Sequence, residues 1–153
     1  MIQDAGPGAV DPRTLYRILR LRSEVFVVEQ ACAFLDLDGR DLEPSTVHVW
    51  ADPDPAAATV AAALRVVRDD GAVRVGRVAT AAAWRRRGLA SALVAHALAL
   101  AGPAPVVLDA QAPLVEWYRR WGFERAGEAF VEDGIPHVPM RRPAAPAAPP
   151  PPP

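Results

Sequence analysis

Three arginines, Arg85, Arg86 and Arg87, stand directly before Gly88-Leu89-Ala90. An apolar run that ends near Ala79 precedes them, and an alanine- and leucine-rich run from Leu89 to Leu100 follows. The pattern Arg85-x-x-Gly88-x-Ala90 therefore falls at a strand-to-helix junction. Small residues at Gly88 and Ala90 leave the start of that helix uncovered. Its free amides and positive dipole end then form an anion site that a pyrophosphate would fit. The three guanidinium groups add charge for further phosphate. A plain turn with a solvated arginine run has the same spacing, and on the residues alone both readings stand. The basic residues sharpen the point. Lys and Arg together number 17, and every one is Arg. A phosphate-loop lysine and a lysine Schiff base are thus excluded, so any phosphate must be held by backbone amides and Arg.

Proton-handling groups are fewer. Glu29, Asp36, Asp38, Glu132, Asp133 and His137 are the candidates for taking a proton from a substrate. Glu29 ends an apolar helix and reads equally well as a surface charge. His48 and His96 read as structural, His96 on the apolar stripe of its helix. The single cysteine, Cys32, excludes an internal disulfide and a thiolate-rich zinc site, and reads as a small packed residue. No His and carboxylate pair has metal-ligand spacing, so no metal is expected.

The elements that must carry these groups follow from periodicity. Asp11-Pro12 opens a first helix, with Asp as cap and Pro in the first turn. Leu15, Ile18, Leu19, Arg22 and Phe26 continue it at helical spacing. Residues 31–44 read as an acidic loop, whose charge leans toward a cationic partner. Val47–Trp50, Thr59–Val67 and Val73–Ala79 read as strands, the last two joined by a hairpin at Asp69-Asp70-Gly71. A helix over Leu89–Leu100 stops at Gly102-Pro103, and Val106–Leu108 is a buried strand. A helix from Pro113 to Trp121 precedes closing strands at Phe123–Val131 and Pro136–Arg141. The predicted fold class is α/β: a mixed, mostly antiparallel sheet with flanking helices, and a parallel pair flanking the Leu89 helix. Residues 1–10 read as a flexible leader, 11–142 as one domain, and 143–153 as a Pro/Ala-rich disordered tail holding seven of the 17 prolines. A net charge of −1 gives no pull toward nucleic acid or an anionic membrane. With neither a signal peptide nor a membrane span in view, a cytoplasmic protein is expected.

The stretch Val75–Val94 resembles motif A of the GNAT N-acetyltransferases, R/Q-x-x-G-x-G/A after an apolar strand, with Arg85, Gly88 and Ala90 in those places. Trp117-Tyr118-x-x-x-Gly122-Phe123 is similar to a second element of that family. Leu21–Glu43, the DAQAPLVEWYRRWGF run and Glu132–Met140 look like its ElaA-type branch, in the same order along the chain. The resemblance spans roughly residues 14–142. The branch begins with an extra strand, for which the leader IQDAGPGAV is poor material. The resemblance implies the GNAT acyl-CoA N-acyltransferase fold and acetyl-CoA as co-substrate. It places pyrophosphate on the turn amides of Arg85–Ala90, thioester and pantetheine along Val78, Ala79 and Thr80, and the amide of Gln111 toward CoA. It also implies a strand at Val75–Ala79 that is bulged and parts from the Val106 strand. Tyr118 would protonate the departing thiolate, a backbone amide near Val78–Ala79 would hold the oxyanion, and Glu29 would stand as a base. The implied activity is direct acetyl transfer to a primary amine, of a small molecule or a peptide. A non-catalytic acyl-CoA sensor with the same turn is the alternative. An exposed sheet edge could pair two copies as a homodimer.

Overall fold

In the computed structural model the described residues are 1–146. Most of the predicted proline-rich tail therefore lies outside them. The strands are β1 (Ile2–Ala5), β2 (Thr46–Ala51), β3 (Ala62–Asp69), β4 (Ala72–Thr80), β5 (Val106–Gln111), β6 (Glu124–Arg125), β7 (Phe130–Glu132) and β8 (Ile135–Arg142). They form one sheet in the order β1-β2-β3-β4-β5-β8-β6, with β7 also on β8. Every pairing is antiparallel except β4 with β5. That parallel pair needs a crossover, and α2 (Leu89–Ala101) supplies it.

The sheet is covered on both faces, which is why residues 61–67 are buried without alternation. Leu93, Val94 and Ala97 of α2 pack with Val49, Leu64, Val66 and Val75 on one face. Helix α1 (Pro12–Arg22) covers the other, where Ile18 and Leu21 meet Trp50, Ala63 and Ala79. Asp11 caps α1 as expected, its carboxylate accepting from the Thr14 amide at 2.9 Å. The helical pattern then continues as a π-helical segment, Ser23–Glu29, rather than as plain α-helix. The helix expected from Pro113 is tightly wound at its start and α-helical only over α3 (Val115–Arg119).

Two expectations need correction. The leader is not simply flexible: Ile2–Ala5 pairs antiparallel with His48–Ala51 as the edge strand β1. Four residues without a clear apolar alternation carry little strand signal of their own, and the long partner β2 supplies the order. His96 does not lie in the core. It is partly exposed, with Nε2 2.8 Å from the Asp4 carboxylate, and so ties α2 to β1. His48 is buried and structural, its Nε2 3.1 Å from the Asp41 carbonyl.

Candidate active site

Strand β4 makes the opening. It is paired with β5 only at Val73↔Val106 and Arg74↔Val107. Beyond these the strands part, although β4 runs on to Thr80 and β5 to Gln111. On its other side β4 carries a bulge. Ala63 pairs with Ala79 and Arg65 with Gly76, so Arg77 and Val78 stand opposite Leu64 alone. Arg77 sits at φ 53°, the left-handed backbone common in bulges. The bulge turns β4 away from β5 and leaves its inner edge without a ladder partner. Backbone groups exposed in this way take up an extended ligand. The gap opens into a cleft of about 1120 Å³.

At one end of the cleft lies the arginine turn. Arg86 has φ 60° and Gly88 φ 76°. Gly88 occupies the N-cap position of α2, with no side-chain cap. A chain folded through alternating left-handed residues points successive amides into one concavity, an anion nest at the positive end of a helix. Arg86, Gly88, Leu89 and Ala90 line the cleft here. Arg85 lines it too, but both its terminal nitrogens hold the Glu29 carboxylate at 2.6 Å, and its Nε reaches the Thr80 carbonyl at 3.1 Å. Arg87 is set apart: its guanidinium lies over the Trp84 ring at 4.8 Å, and it is not among the lining residues.

The strand edge residues Val78, Ala79 and Thr80 line the cleft, as does Gln111 at the end of β5, whose Nε2 donates to Gln30 Oε1 at 3.3 Å. Tyr118 reaches the same cleft from α3. Its ring is buried, edge-on to Trp117 at 4.8 Å and to Phe123 at 5.9 Å. The hydroxyl makes no hydrogen bond among the described residues and is not sealed from solvent, so it opens on the cleft. Burial pushes its pKa up to about 12. Trp117 also lines the cleft rather than lying on the outer surface.

Of the candidate proton acceptors, Glu29 is the most engaged. Hydrogen bonds from Arg85 hold its carboxyl below the usual range. His137, Glu132 and Asp133 line the far side. Cys32 is buried with its thiol donating to the Asp133 carbonyl at 3.0 Å, a packed residue that joins the 30s loop to the β7–β8 hairpin.

The acidic loop is not a lure for cations. Arg22, 1% exposed, donates to Asp36 at 2.9 Å and to Asp41 at 2.5 Å. Arg65 holds Asp38 at 2.7 Å and Asp41 at 3.1 Å, and Arg77 in the bulge reaches Asp36 at 2.8 Å. Three carboxylates are thus neutralised by three guanidinium groups, correcting the lean read from loop composition. Reading along the chain missed this network because its partners are far apart in sequence. An arginine in the apolar stripe of α1 was the available signal, since a buried Arg demands partners.

The network has a pH signature. Hydrogen bonds from Arg65 hold the Asp38 carboxyl well below its usual range. For Asp41 burial works the other way, but the hydrogen bonds and charges of Arg22 and Arg65 outweigh it and lower the pKa. Lowered folded-state values stabilise the protein above the unfolded carboxyl pKa of about 3.9, and that stability is lost as pH falls through the folded values. Asp38→Asn is expected to cost about 1.5–3 kcal/mol at pH 7, the range for hydrogen bonds to charged groups. It should also flatten the acid limb of the melting temperature below about pH 4. An acid limb as steep as that of the parent protein would show that Asp38 is not tightly held.

Comparison with known proteins agrees with this architecture. The acetyltransferase (GNAT) domain profile matches residues 37–143. A UPF0039 protein of Mycobacterium tuberculosis is 45% identical over 141 residues, which is 89% of this chain and 88% of the relative. Protein ElaA of Escherichia coli is 35% identical, covering 92% and 94%. Among solved structures, an acyl-CoA N-acyltransferase from Pseudomonas aeruginosa superposes with a TM-score of 0.87 at 38% identity, covering 93% of this chain and 98% of that one. Escherichia coli ElaA superposes with a TM-score of 0.83 at 33% identity, with the same coverage. Among the described residues no helix is long and apolar enough to cross a membrane. A parted β4/β5 pair above an amide nest, together with relatives that align along most of both chains, leads to one conclusion: the chain belongs to the GNAT acetyltransferase family.

Proposed function

We propose that this protein is an N-acetyltransferase that moves an acetyl group from acetyl-CoA to a primary amine by direct attack. One observation carries the reading: the unpaired edge of β4, the amide nest at Gly88 and the Tyr118 hydroxyl all open on the same cleft. The residues present fit such a co-substrate. The nest suits a pyrophosphate without any Lys. The parted strand offers an extended edge to a pantetheine arm, and Arg86 lies beside the nest for further phosphate. Bound acetyl-CoA would supply an acyl group already activated as a thioester.

The chain's own groups do the rest. A backbone amide of β4 near Val78 would stabilise negative charge on the acyl oxygen as it develops. Tyr118 stays protonated at neutral pH and can give its proton to the leaving sulfur without first acquiring charge. Glu132 and Asp133 line the cleft without an arginine partner among the described residues, and their charge would attract an ammonium acceptor, of a small molecule or a peptide.

Calorimetry with acetyl-CoA, followed by thiol release against a panel of primary amines, tests the reading. Micromolar binding and turnover with at least one amine class are expected. Binding without turnover across the panel would favour an acyl-CoA sensor instead. No binding at high micromolar acetyl-CoA would end both readings.

A further inference from the structure

Transfer to an alkylamine requires that the ammonium first lose a proton, because its pKa is about 10.4 in water and a protonated nitrogen has no lone pair for attack. Most carboxylates of the cleft are already committed. Glu29 is gripped by Arg85 through both oxygens, and Asp38, like its loop neighbours Asp36 and Asp41, is paired with arginine. Glu132 closes the last paired step of the β7–β8 hairpin, opposite Ile135, and Asp133 lies in the turn beyond it.

His137 differs in position and in chemistry. It stands on β8 opposite Gln111 of β5. The parallel register of β4 and β5 ends at Arg74↔Val107, and beyond it Val78 and Gln111 border the opening from the two parted strands. Gln111 and His137 are thus paired at the edge of the opening, and Val78, whose amide would hold the acyl oxygen, lines the same cleft. The ring is fixed in two ways. Its face stacks on Phe130, with centroids 5.6 Å apart and planes at 16°. Its Nδ1 lies 2.7 Å from the Ile135 carbonyl oxygen. A carbonyl only accepts, so Nδ1 must carry the hydrogen and neutral His137 keeps the bare lone pair on Nε2. Nε2 has no hydrogen-bond partner among the described residues, is not sealed from solvent, and belongs to a residue that lines the cleft.

We propose that His137 Nε2 is the proton acceptor for the amine. This rests on the acetyltransferase reading above. The ammonium gives one proton to Nε2, which passes it to water. The freed nitrogen lone pair forms the C–N bond as the C–S bond breaks and its electron pair goes to sulfur. Tyr118 protonates that sulfur, and the second proton lost from nitrogen restores the phenol. The Ile135 carbonyl fixes the tautomer, and the Phe130 face holds the ring in the plane where Nε2 meets the incoming nitrogen.

The test combines kinetics with a readout that needs no turnover. His137→Gln and His137→Ala should bind acetyl-CoA with the parent affinity, while kcat for a high-pKa alkylamine falls on the order of a hundredfold or more. Added imidazole should restore part of the rate in His137→Ala. Long-range nitrogen–proton NMR of the free protein should show His137 protonated at Nδ1 and bare at Nε2. A wild-type rate in His137→Gln, or an Nε2–H tautomer, would overturn the proton-acceptor role while leaving the transferase reading intact. Acetyl-CoA binding with no amine acetylated by the wild type would overturn both.

Discussion

Replacing Gly88 by glutamate is expected to abolish acetyl-CoA binding while the fold survives. Gly88 has φ 76°, and a Cβ built on it meets nothing within 4 Å. The substitution is therefore strained in backbone but not crowded, at a cost of about 1–2 kcal/mol. The larger effect is electrostatic. A carboxylate at the N-cap of α2 would stand where the amide nest is to receive a pyrophosphate. Two unit charges about 4 Å apart repel by about 4 kcal/mol near a protein surface, which corresponds to an affinity loss on the order of a thousandfold. Gly88→Asn separates the two causes. Asn tolerates the left-handed conformation better than most residues and brings no charge, so it should keep most of the binding and most of the melting temperature. Calorimetry and thermal melting on the two variants decide the matter. Glutamate bound as tightly as glycine would mean that the pyrophosphate does not lie on this turn.

That turn was legible along the chain because its requirements are local. A left-handed glycine, small residues at the helix start and flanking arginines all fall within six positions, Arg85 to Ala90. The β3–β4 hairpin was legible for the same reason, through Asp70-Gly71. The parting of β4 from β5 came from family resemblance, and its physical cause is not local. It depends on one extra residue in β4 relative to β3, and nothing in the apolar run Val73–Ala79 shows where that residue falls. A strand such as β1 is invisible for a related reason, since its order comes from β2 and from the Asp4–His96 contact rather than from its own propensity. The charged groups were the hardest to read. Glu29 and the aspartates of the 30s loop have the composition of a site open to cations. Only the folded chain shows that Arg85, Arg22, Arg65 and Arg77 have already claimed them. Residue types proposed the candidates, and pairing across the fold sorted them, leaving His137 with a free nitrogen.

Tyr118→Phe carries the other large effect, and it asks whether the cleft performs chemistry or only binds. The phenol ring is buried and makes edge contacts with Trp117 and Phe123 that phenylalanine would retain. Its hydroxyl holds no hydrogen bond among the described residues, so removing it leaves no buried partner unsatisfied. The variant should fold and melt like the parent at neutral pH. A difference appears only in alkali. A phenol with a pKa of about 10 when unfolded and about 12 when folded contributes stability in full below pH 10, and that contribution is lost as pH rises toward 12. Tyr118→Phe should lack this alkaline loss. In the proposed transfer the hydroxyl would act only at the step in which sulfur departs. Its removal should lower kcat on the order of a hundred- to ten-thousandfold, the usual range for a positioned acid, at unchanged acetyl-CoA affinity. This split between rate and affinity is the signature of an interaction made in the transition state and not in the bound ground state. A rise in Kd that matched the fall in rate would assign Tyr118 to holding the co-substrate. Unchanged thiol release would leave the sulfur to be protonated by water and reduce Tyr118 to a packing residue, its raised pKa then recording only the burial of its ring.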